Sequence, residues 1–455
     1  MMQSPFPFES MLLFGFLSVL LLIGIGLRAK IPFFQRFLVP SCLLGGLLGL
    51  ILTNMDLVPF SFSRLESFAY HFFNISFISV GLTVSNPGQK EPDREKGLMK
   101  GSLWMALTQG VVFPLQAVTG GVFVIALSAA GMELFPTFGF FAPLGFEEGP
   151  GQALSIGKAW EGFGFENAAT IGLSFAAIGF FFAFFVGVPL VNWGIRKGLS
   201  VRGRGPLPPG MLAGIVPRAH EKERAGHLTL HSGNADNLAF QAALVGLAFL
   251  VTYAFVTLLG RVVPLDVAKM LWGFFFIFGL GFALLLRGVM ARMGVAHLID
   301  PGIQRRITGW SVDFLIVSTV CAIQLPVVGQ YIVPIIAISL TTGFLTTGVV
   351  LYLGKRTTAY NLERSVAIFG TVTGNISSGL LLLRIADPDF STPVVIEIAL
   401  MNVVSIPIIG ACLVLLNGPI WWEWSVALSV LVFSGIVLAC LSLIRAFGLW
   451  GAPRF

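Results

Sequence analysis

The sequence predicts an all-α membrane protein of two inverted repeats of five transmembrane helices, each repeat with a re-entrant hairpin, followed by one extra C-terminal helix. Three observations carry this expectation. Hydrophobic residues fill 56% of the 455 positions and charged residues only 11%, against roughly 25% charged in soluble domains. Apolar runs of membrane-spanning length recur along the whole chain, in two sets of five on either side of a polar stretch. Each set is interrupted at the same place, between its fourth and fifth runs, by a glycine-rich segment too polar for an ordinary crossing.

In the first half the apolar runs lie near Met11 to Leu27, Phe37 to Thr53, Ser67 to Val84, Leu98 to Ala129 and Ala168 to Trp193. The second set lies near Asn237 to Leu259, Pro264 to Leu286, Trp310 to Leu325, Gln330 to Leu353 and Pro393 to Leu416. Each fits the need for about 20 apolar residues per crossing. A last run, Trp421 to Leu443, has no counterpart in the first half and reads as an added helix. The expected division is 1–194 for the first repeat, 195–236 for a cytoplasmic linker, 237–417 for the second repeat and 418–455 for the added helix and tail. The linker carries Arg202-Gly-Arg-Gly-Pro-Leu-Pro-Pro209 and His220-Glu-Lys-Glu-Arg224, a polar connection with the alternative of a lipid-headgroup contact.

The interrupting segments, residues 135–162 and 361–387, each read as two short helical arms meeting at a glycine tip. Non-helical backbone at membrane depth is tolerated only where protein buries it or it lines a wet cavity, so each tip marks a candidate site. If both hairpins return to their own side, 24 of the 28 Lys and Arg residues fall on one face, and only Arg64, Lys158, Arg261 and Lys269 on the other. That asymmetry names the first face cytoplasmic and places the N-terminus outside and the C-terminus inside a cytoplasmic membrane. Five crossings per half invert the second half relative to the first, as in many secondary transporters. The net charge of +6 follows from the cytoplasmic loops and implies no nucleic acid.

Cys42, Cys321, Cys412 and Cys440 lie within apolar runs, without the spacing of a metal site or a disulfide framework. No basic residue precedes the first apolar run, whereas Arg28 and Lys30 follow it, the reverse of a cleavable signal.

The tips hold the candidate chemistry. Glu147 and Glu148 are adjacent acids at expected mid-membrane depth, where an ionised carboxylate costs about 2.5 to 3.5 kcal/mol on insertion scales. They are expected to bind a cation or proton or to meet a substrate amine; capping of the second arm, which begins at Pro150, is the structural alternative. Gly145, Gly149 and Gly151 in one tip, and Gly370, Gly374 and Gly379 in the other, allow tight turns and close approach of a ligand. Free N–H groups at the start of each second arm favour an anion, and exposed carbonyls at the end of each first arm favour Na+. Gln152, Thr373, Asn375, Ser377 and Ser378 are candidates for binding substrate, and Thr371 for the cation shell. Glu397 and Asn402, polar groups within the tenth run, are further coupling candidates, with an interhelical hydrogen bond as the alternative. Arg384 lies nine residues beyond Asn375, about 13 Å along its arm, and reads as a snorkelling or gating residue. His71, Lys158 and Glu161 read as structural.

Several stretches together resemble the sodium/glutamate symporters of bacteria. Val39-Pro-Ser-Cys-Leu-Leu-Gly-Gly-Leu47 is similar to that family's second helix. Gly145-Phe-Glu-Glu-Gly-Pro-Gly-Gln-Ala153, with Gly157-Lys-Ala-Trp160 and Gly164-Phe-Glu-Asn-Ala168, resembles its first hairpin and the start of the next helix. Gly370-Thr-Val-Thr-Gly-Asn-Ile-Ser-Ser-Gly379 stands where its second tip is expected. The resemblance is distant and extends to about Leu416. The family's first tip usually reads Gly-Gly-His-Gly-Thr-Gly; here Phe146 breaks the glycine pair, Glu148 stands near the His position and Pro150 replaces Thr. An acid the family carries in its tenth helix has no match around Ser405 to Gly410, and the eleventh helix is an addition.

The resemblance implies a symporter with Na+ as coupling ion and glutamate or a related small carboxylate as substrate. Alternatives within the same architecture are another amino acid, a hydroxycarboxylate, or H+ in place of Na+. A membrane-embedded enzyme lacks support, because no His-Glu zinc motif or Gly-x-Ser-x-Gly element occurs. No cofactor is expected, and no metal beyond Na+; the expected partners are the carboxylate and the lipid bilayer, with a homodimer left open. The topology predicts that a reporter fused after Arg204 is cytoplasmic and one after Phe62 external. Labelling of the Arg204 reporter from outside intact cells would overturn it.

Overall fold

The computed structural model describes residues 6–83, 92–201, 209–216, 225–231, 233–388 and 391–453. Lys90, Arg202, Arg204, Arg218, Lys222, Arg224 and Arg454, and with them part of the expected linker and one reporter position, lie outside the described residues. Among those described, every regular element is helical. The principal helices are α1 (Glu9–Lys30), α2 (Ser41–Asn54), α3 (Phe62–Thr83), α4 (Pro92–Ala129), α5 (Phe141–Phe146), α6 (Pro150–Glu161), α7 (Ala168–Phe181) and α8 (Gly187–Arg196). They continue with α9 (Asn237–Gly260), α10 (Phe275–Arg292), α11 (Pro301–Cys321), α12 (Ile332–Gly354), α13 (Asn361–Thr373), α14 (Ile376–Ala386), α15 (Val394–Leu415) and α16 (Val426–Ala446). A π-helical stretch, Phe182–Val186, joins α7 to α8 into one long span.

Among the described residues, eight helices are long and apolar enough to cross a membrane. Three of the eleven expected crossings fall outside that set, each for a physical reason. Helix α2 has only 14 residues, about 21 Å, less than the roughly 30 Å hydrocarbon core. Helices α3 and α11 are long enough, but Glu66, Asn74, Ser76 and Ser79 on one, and Gln304, Ser311, Ser318 and Thr319 on the other, make them polar.

Those polar groups are buried because α3 and α11 pack on each other. The Ser79 hydroxyl donates to the Gln304 carbonyl (2.7 Å), and the Ser318 hydroxyl donates to the Leu65 carbonyl (2.7 Å). The late part of each helix thus bonds the early part of the other, so the two are antiparallel. Helix α2 packs on α11, α10 packs on α3, and α1 and α9 cover the outer faces of α2 and α10.

The apolar run at Trp310 to Leu325 is corrected here. The helix begins nine residues earlier, at Pro301, with the Asp300 carboxylate capping the Ile303 N–H (2.7 Å), and it ends at Cys321. The polar residues Gln304, Arg305 and Arg306 conceal that start from an apolar count. The run from Pro264 is likewise split, into Leu265–Leu271 and α10.

The other helices gather around α4, which packs on α12, α15 and α16. Helix α5 lies on α7 and α6 on α7, while α13 and α14 pack on each other and against α8. Between the two groups the main contact passes through α6, which touches α3 and α11. Beyond α16, the Gly451 N–H donates to the Arg356 carbonyl (2.7 Å), and the Trp450 ring lies against the Arg356 and Arg445 guanidinium groups.

One buried ion pair ties this second group together. Arg364 on α13 donates from Nε and Nη2 to the two oxygens of Glu397 on α15 (2.7 and 2.6 Å), with exposures of 4% and 0%. Gly101 on α4 lies so close that a Cβ there would overlap both side chains. Removing one partner leaves a buried charge uncompensated, whereas replacing both can be nearly neutral. Glu397→Ala is therefore expected to lower stability by about 3–5 kcal/mol, and Arg364→Met with Glu397→Met to recover most of that loss. Unfolding of the purified variants in detergent measures both; a Glu397→Ala protein as stable as the parent would sink the assignment.

Candidate functional site

Two interruptions of helical structure define the site. At the first, α5 ends at Phe146 and the Glu147 and Glu148 N–H groups both donate to the Pro143 carbonyl (3.0 and 3.3 Å). The chain then turns at Gly149, whose φ of +80° and ψ of −175° form a combination essentially reserved for glycine. Pro150 opens α6 at the position where a missing N–H is harmless. At the second, α13 ends at Thr373, Gly374 follows, and Asn375 caps α14 by accepting from the Ser378 N–H (2.9 Å) and hydroxyl (3.2 Å). The two arms touch backbone to backbone: a Cβ on Gly370 would lie 2.7 Å from the Gly379 Cα.

The two interruptions, far apart in sequence, face each other. A Cβ on Gly149 would lie 3.1 Å from the Gly374 carbonyl oxygen and 3.9 Å from the Asn375 Cβ. Gly179 of α7 sits against both, since a Cβ there would lie 2.7 Å from the Thr373 carbonyl and 3.1 Å from the Phe146 Cα. The backbone at both breaks is thus packed as tightly as glycine permits.

Buried oxygen atoms surround the first break. Glu147 is 4% exposed and its two carboxylate oxygens lack a hydrogen bond of normal geometry, with the Gln109 carboxamide of α4 beside it. Glu148 is partly buried and accepts from the Gln152 amide. Gln116, seven residues along α4 from Gln109, donates to the Val372 carbonyl (3.0 Å) at the end of α13 and to the Thr346 hydroxyl (3.1 Å). The amide oxygens of Gln109, Gln116 and Gln152 are also buried without a partner. Such an array suits a hard cation, whereas the N–H groups opening α6 and α14 suit an anion.

Glu147, Glu148, Gly149, Gln152, Thr373, Gly374, Asn375 and Ser378 thus gather at the facing breaks, and Ser377 is exposed beside them. Thr371 and Thr373 donate to the Ala367 (2.9 Å) and Phe369 (2.7 Å) carbonyls of their own helix, leaving only lone pairs for a ligand. Gly151 instead serves packing, because a Cβ there would overlap the Phe73 ring of α3.

Glu397 makes the interhelical bond that was its alternative reading: it pairs with Arg364, ten residues and about 15 Å along α13 from Gly374. Asn402 bonds back to the Ile398 carbonyl (3.0 Å), the local alternative to a site. Lys158 bridges Glu66 of α3 (2.7 Å) and Glu161 (2.8 Å). Sequence reasoning overlooked Gln109 and Gln116; their signal was two amides seven residues apart, on one face of an otherwise apolar span. Neither a protein-family profile nor a curated protein matches the chain.

Gly149→Ala is expected to destabilise the protein by about 1–3 kcal/mol, because alanine must adopt a backbone conformation reserved for glycine. Gly246→Ala is the control of opposite sign: it lies mid-helix in α9 with nothing within 4 Å of a new Cβ, and alanine there should stabilise by up to about 1 kcal/mol. Equal unfolding midpoints for the two variants would show that the Gly149 conformation is unimportant.

Proposed function

We propose that the chain is a secondary transporter whose two hairpins re-enter the membrane from opposite faces and hold the substrate where their breaks meet. The observation that carries this reading is the approach of Gly149 to the Gly374 carbonyl amid buried, unpartnered oxygens. Discontinuous helices meeting within a span are how many secondary transporters present helix ends to substrate and ion. Inverted repeats are supported by the reciprocal serine bonds, since the same sequence interval separates Ser79 from Ser318 and Leu65 from Gln304. The exchange of α2 on α11 for α10 on α3 follows the same relation.

By its resemblance to the sodium/glutamate symporters, the chain takes Na+ as coupling ion and glutamate or a related small carboxylate as substrate. The N–H groups opening α6 and α14, with Asn375, Ser377 and Ser378, would receive the carboxylate. Glu147, Glu148 and the Gln109 and Gln152 oxygens would receive the cation. The cation lowers the electrostatic cost of the acids and so favours the loaded site, which is exposed to either face in turn without covalent chemistry. A proton in place of Na+ is the second reading, favoured because no ion pair among the described residues engages either glutamate. The charge asymmetry of the sequence orients the chain in the cytoplasmic membrane with its N-terminus outside.

Uptake of labelled glutamate, other amino acids and hydroxycarboxylates into proteoliposomes, under a Na+ or a pH gradient, tests the proposal. Glutamate uptake driven by Na+ is expected. Glu147→Gln or Glu148→Gln should weaken that drive while leaving the amount of inserted protein unchanged. Gly374→Val should abolish uptake, since a Cβ there would meet Ser378 and Phe180 at 2.8 and 3.2 Å. No uptake of any tested compound under either gradient would refute transport, whereas drive by pH alone would select the proton reading.

A further inference from the structure

Helix α12 carries a row of buried hydroxyls. Ser339, Thr342 and Thr346 follow one another at intervals of three and four residues, on one face of the helix, and are 0%, 1% and 1% exposed. Helix α12 packs on α4 and on α13, which also touch each other. A hydroxyl in an apolar helix commonly donates to a carbonyl of the preceding turn. Thr347 does so to Gly343 (2.7 Å) and Thr119 of α4 to Leu115 (2.9 Å). The Ser339 and Thr342 hydroxyls have neither that bond nor any other partner. Buried hydroxyls left in this condition are costly, so their oxygens are available to something else.

Gln116 of α4 shows where the row leads. Its amide donates to the Thr346 hydroxyl (3.1 Å) and to the Val372 carbonyl (3.0 Å), while the oxygen of the same carboxamide is buried without a partner. Thr342 stands four residues, about 6 Å, from Thr346 along α12. Val372 is the penultimate residue of α13, whose last carbonyls form the negative end of the helix dipole. Its oxygen keeps a second lone pair beyond the one that Gln116 engages. Two hydroxyls, a carboxamide oxygen and a carbonyl at a negative helix end thus gather between three helices. That polarity repels an anion. With no carboxylate among them, these oxygens suit a single positive charge, because a dehydrated divalent ion would lack a neutralising partner. The place is separate from the acids of the first break: Gln109, beside Glu147, lies seven residues and about 10 Å along α4 from Gln116.

We propose that α4, α12 and α13 hold a second monovalent-cation site, with the Thr342 and Thr346 hydroxyls, the Gln116 carboxamide oxygen and the Val372 carbonyl as ligands. Ser339, one turn nearer the start of α12, marks its line of approach. In the transport function proposed above, on which the role of this site but not its binding depends, an ion here fixes the end of α13. It thereby sets the second break for substrate, as the acids set the first.

The test is binding of radiolabelled Na+ to the purified full chain in detergent. A saturable Na+ site is expected to survive in Glu147→Gln with Glu148→Gln. In that background Thr342→Val should weaken it at least about tenfold, the factor for losing one bond to a charged group, and Thr342→Ser should retain it. Thr347→Val is the control and should leave binding unchanged, since its hydroxyl is already engaged within the helix. If the double glutamine variant does not fold, Thr342→Val alone reads the same effect, as one ion fewer per chain than the parent. Loss of all saturable Na+ binding in a double glutamine variant that melts like the parent overturns the proposal. So does an affinity unchanged by Thr342→Val, the result expected if water alone satisfies the row. Absence of uptake in proteoliposomes while this binding persists would count against transport and leave the site standing. Uptake by Thr342→Val with the parent's Na+ dependence would count against the site and leave transport standing.

Discussion

Inside a protein surrounded by hydrocarbon, breaking a helix frees N–H and C=O groups that have no water to turn to, and each unsatisfied group costs several kcal/mol. The pair of breaks in this chain is shaped by that constraint. The Pro143 carbonyl receives two N–H groups where α5 stops, the Asn375 carboxamide receives the N–H that α14 leaves open, and the Gln116 amide reaches the Val372 carbonyl. These partners work only if neighbouring backbones come within hydrogen-bonding reach. Glycine is accordingly found at Gly149, Gly374 and Gly179, where any larger residue would hold the segments apart. Around the first break, buried oxygens of Glu147, Gln109, Gln116 and Gln152 remain without partners. Backbone satisfaction and ligand capacity are thus two outcomes of one arrangement.

The same rule explains why the two most polar long helices are the most enclosed by others of their group. Ser79, Gln304 and Ser318 would be costly against lipid, but between α3 and α11 they form mutual bonds. Gln304 also reaches Gln241 of α9, so a third helix is held by the same side chain. The central pair therefore gains specificity from polar contacts, while the apolar helices around it supply the surface for lipid.

Much of the helical order was legible because an apolar run of about 20 residues, in a chain with so little charge, can hardly be buried except as a crossing. The two break points were legible too, since Gly149-Pro150 and Gly374-Asn375 are poor continuations of a helix. What failed was the start of α11, where polar residues fill the first helical turns. Pro301 and its Asp300 cap were hidden by two arginines, because an apolar count cannot distinguish a loop from a polar first helical turn. Partnership was equally hidden. Glu397 looked like a membrane acid in want of a ligand, and only the fold supplies Arg364 from a different helix. Gln109 and Gln116 were overlooked because a single amide in a long apolar helix carries little weight until its neighbours are known.

Helix α16 and the segment after it have a bearing on how the molecule is made. Helix α4 is synthesised early, yet one of its faces is covered by α16, where a Cβ on Gly110 would lie 3.0 Å from the Cys440 sulfur. The Arg356 carbonyl, between α12 and α13, likewise waits for the Gly451 N–H. A chain threaded into the bilayer from its N-terminus must therefore keep that face of α4 against lipid, or against a membrane chaperone, while the intervening spans are laid down. Stalling of synthesis before α16 would leave an inserted but unclosed bundle, with the glycine-lined flank of α4 open to the quality-control proteases of the membrane.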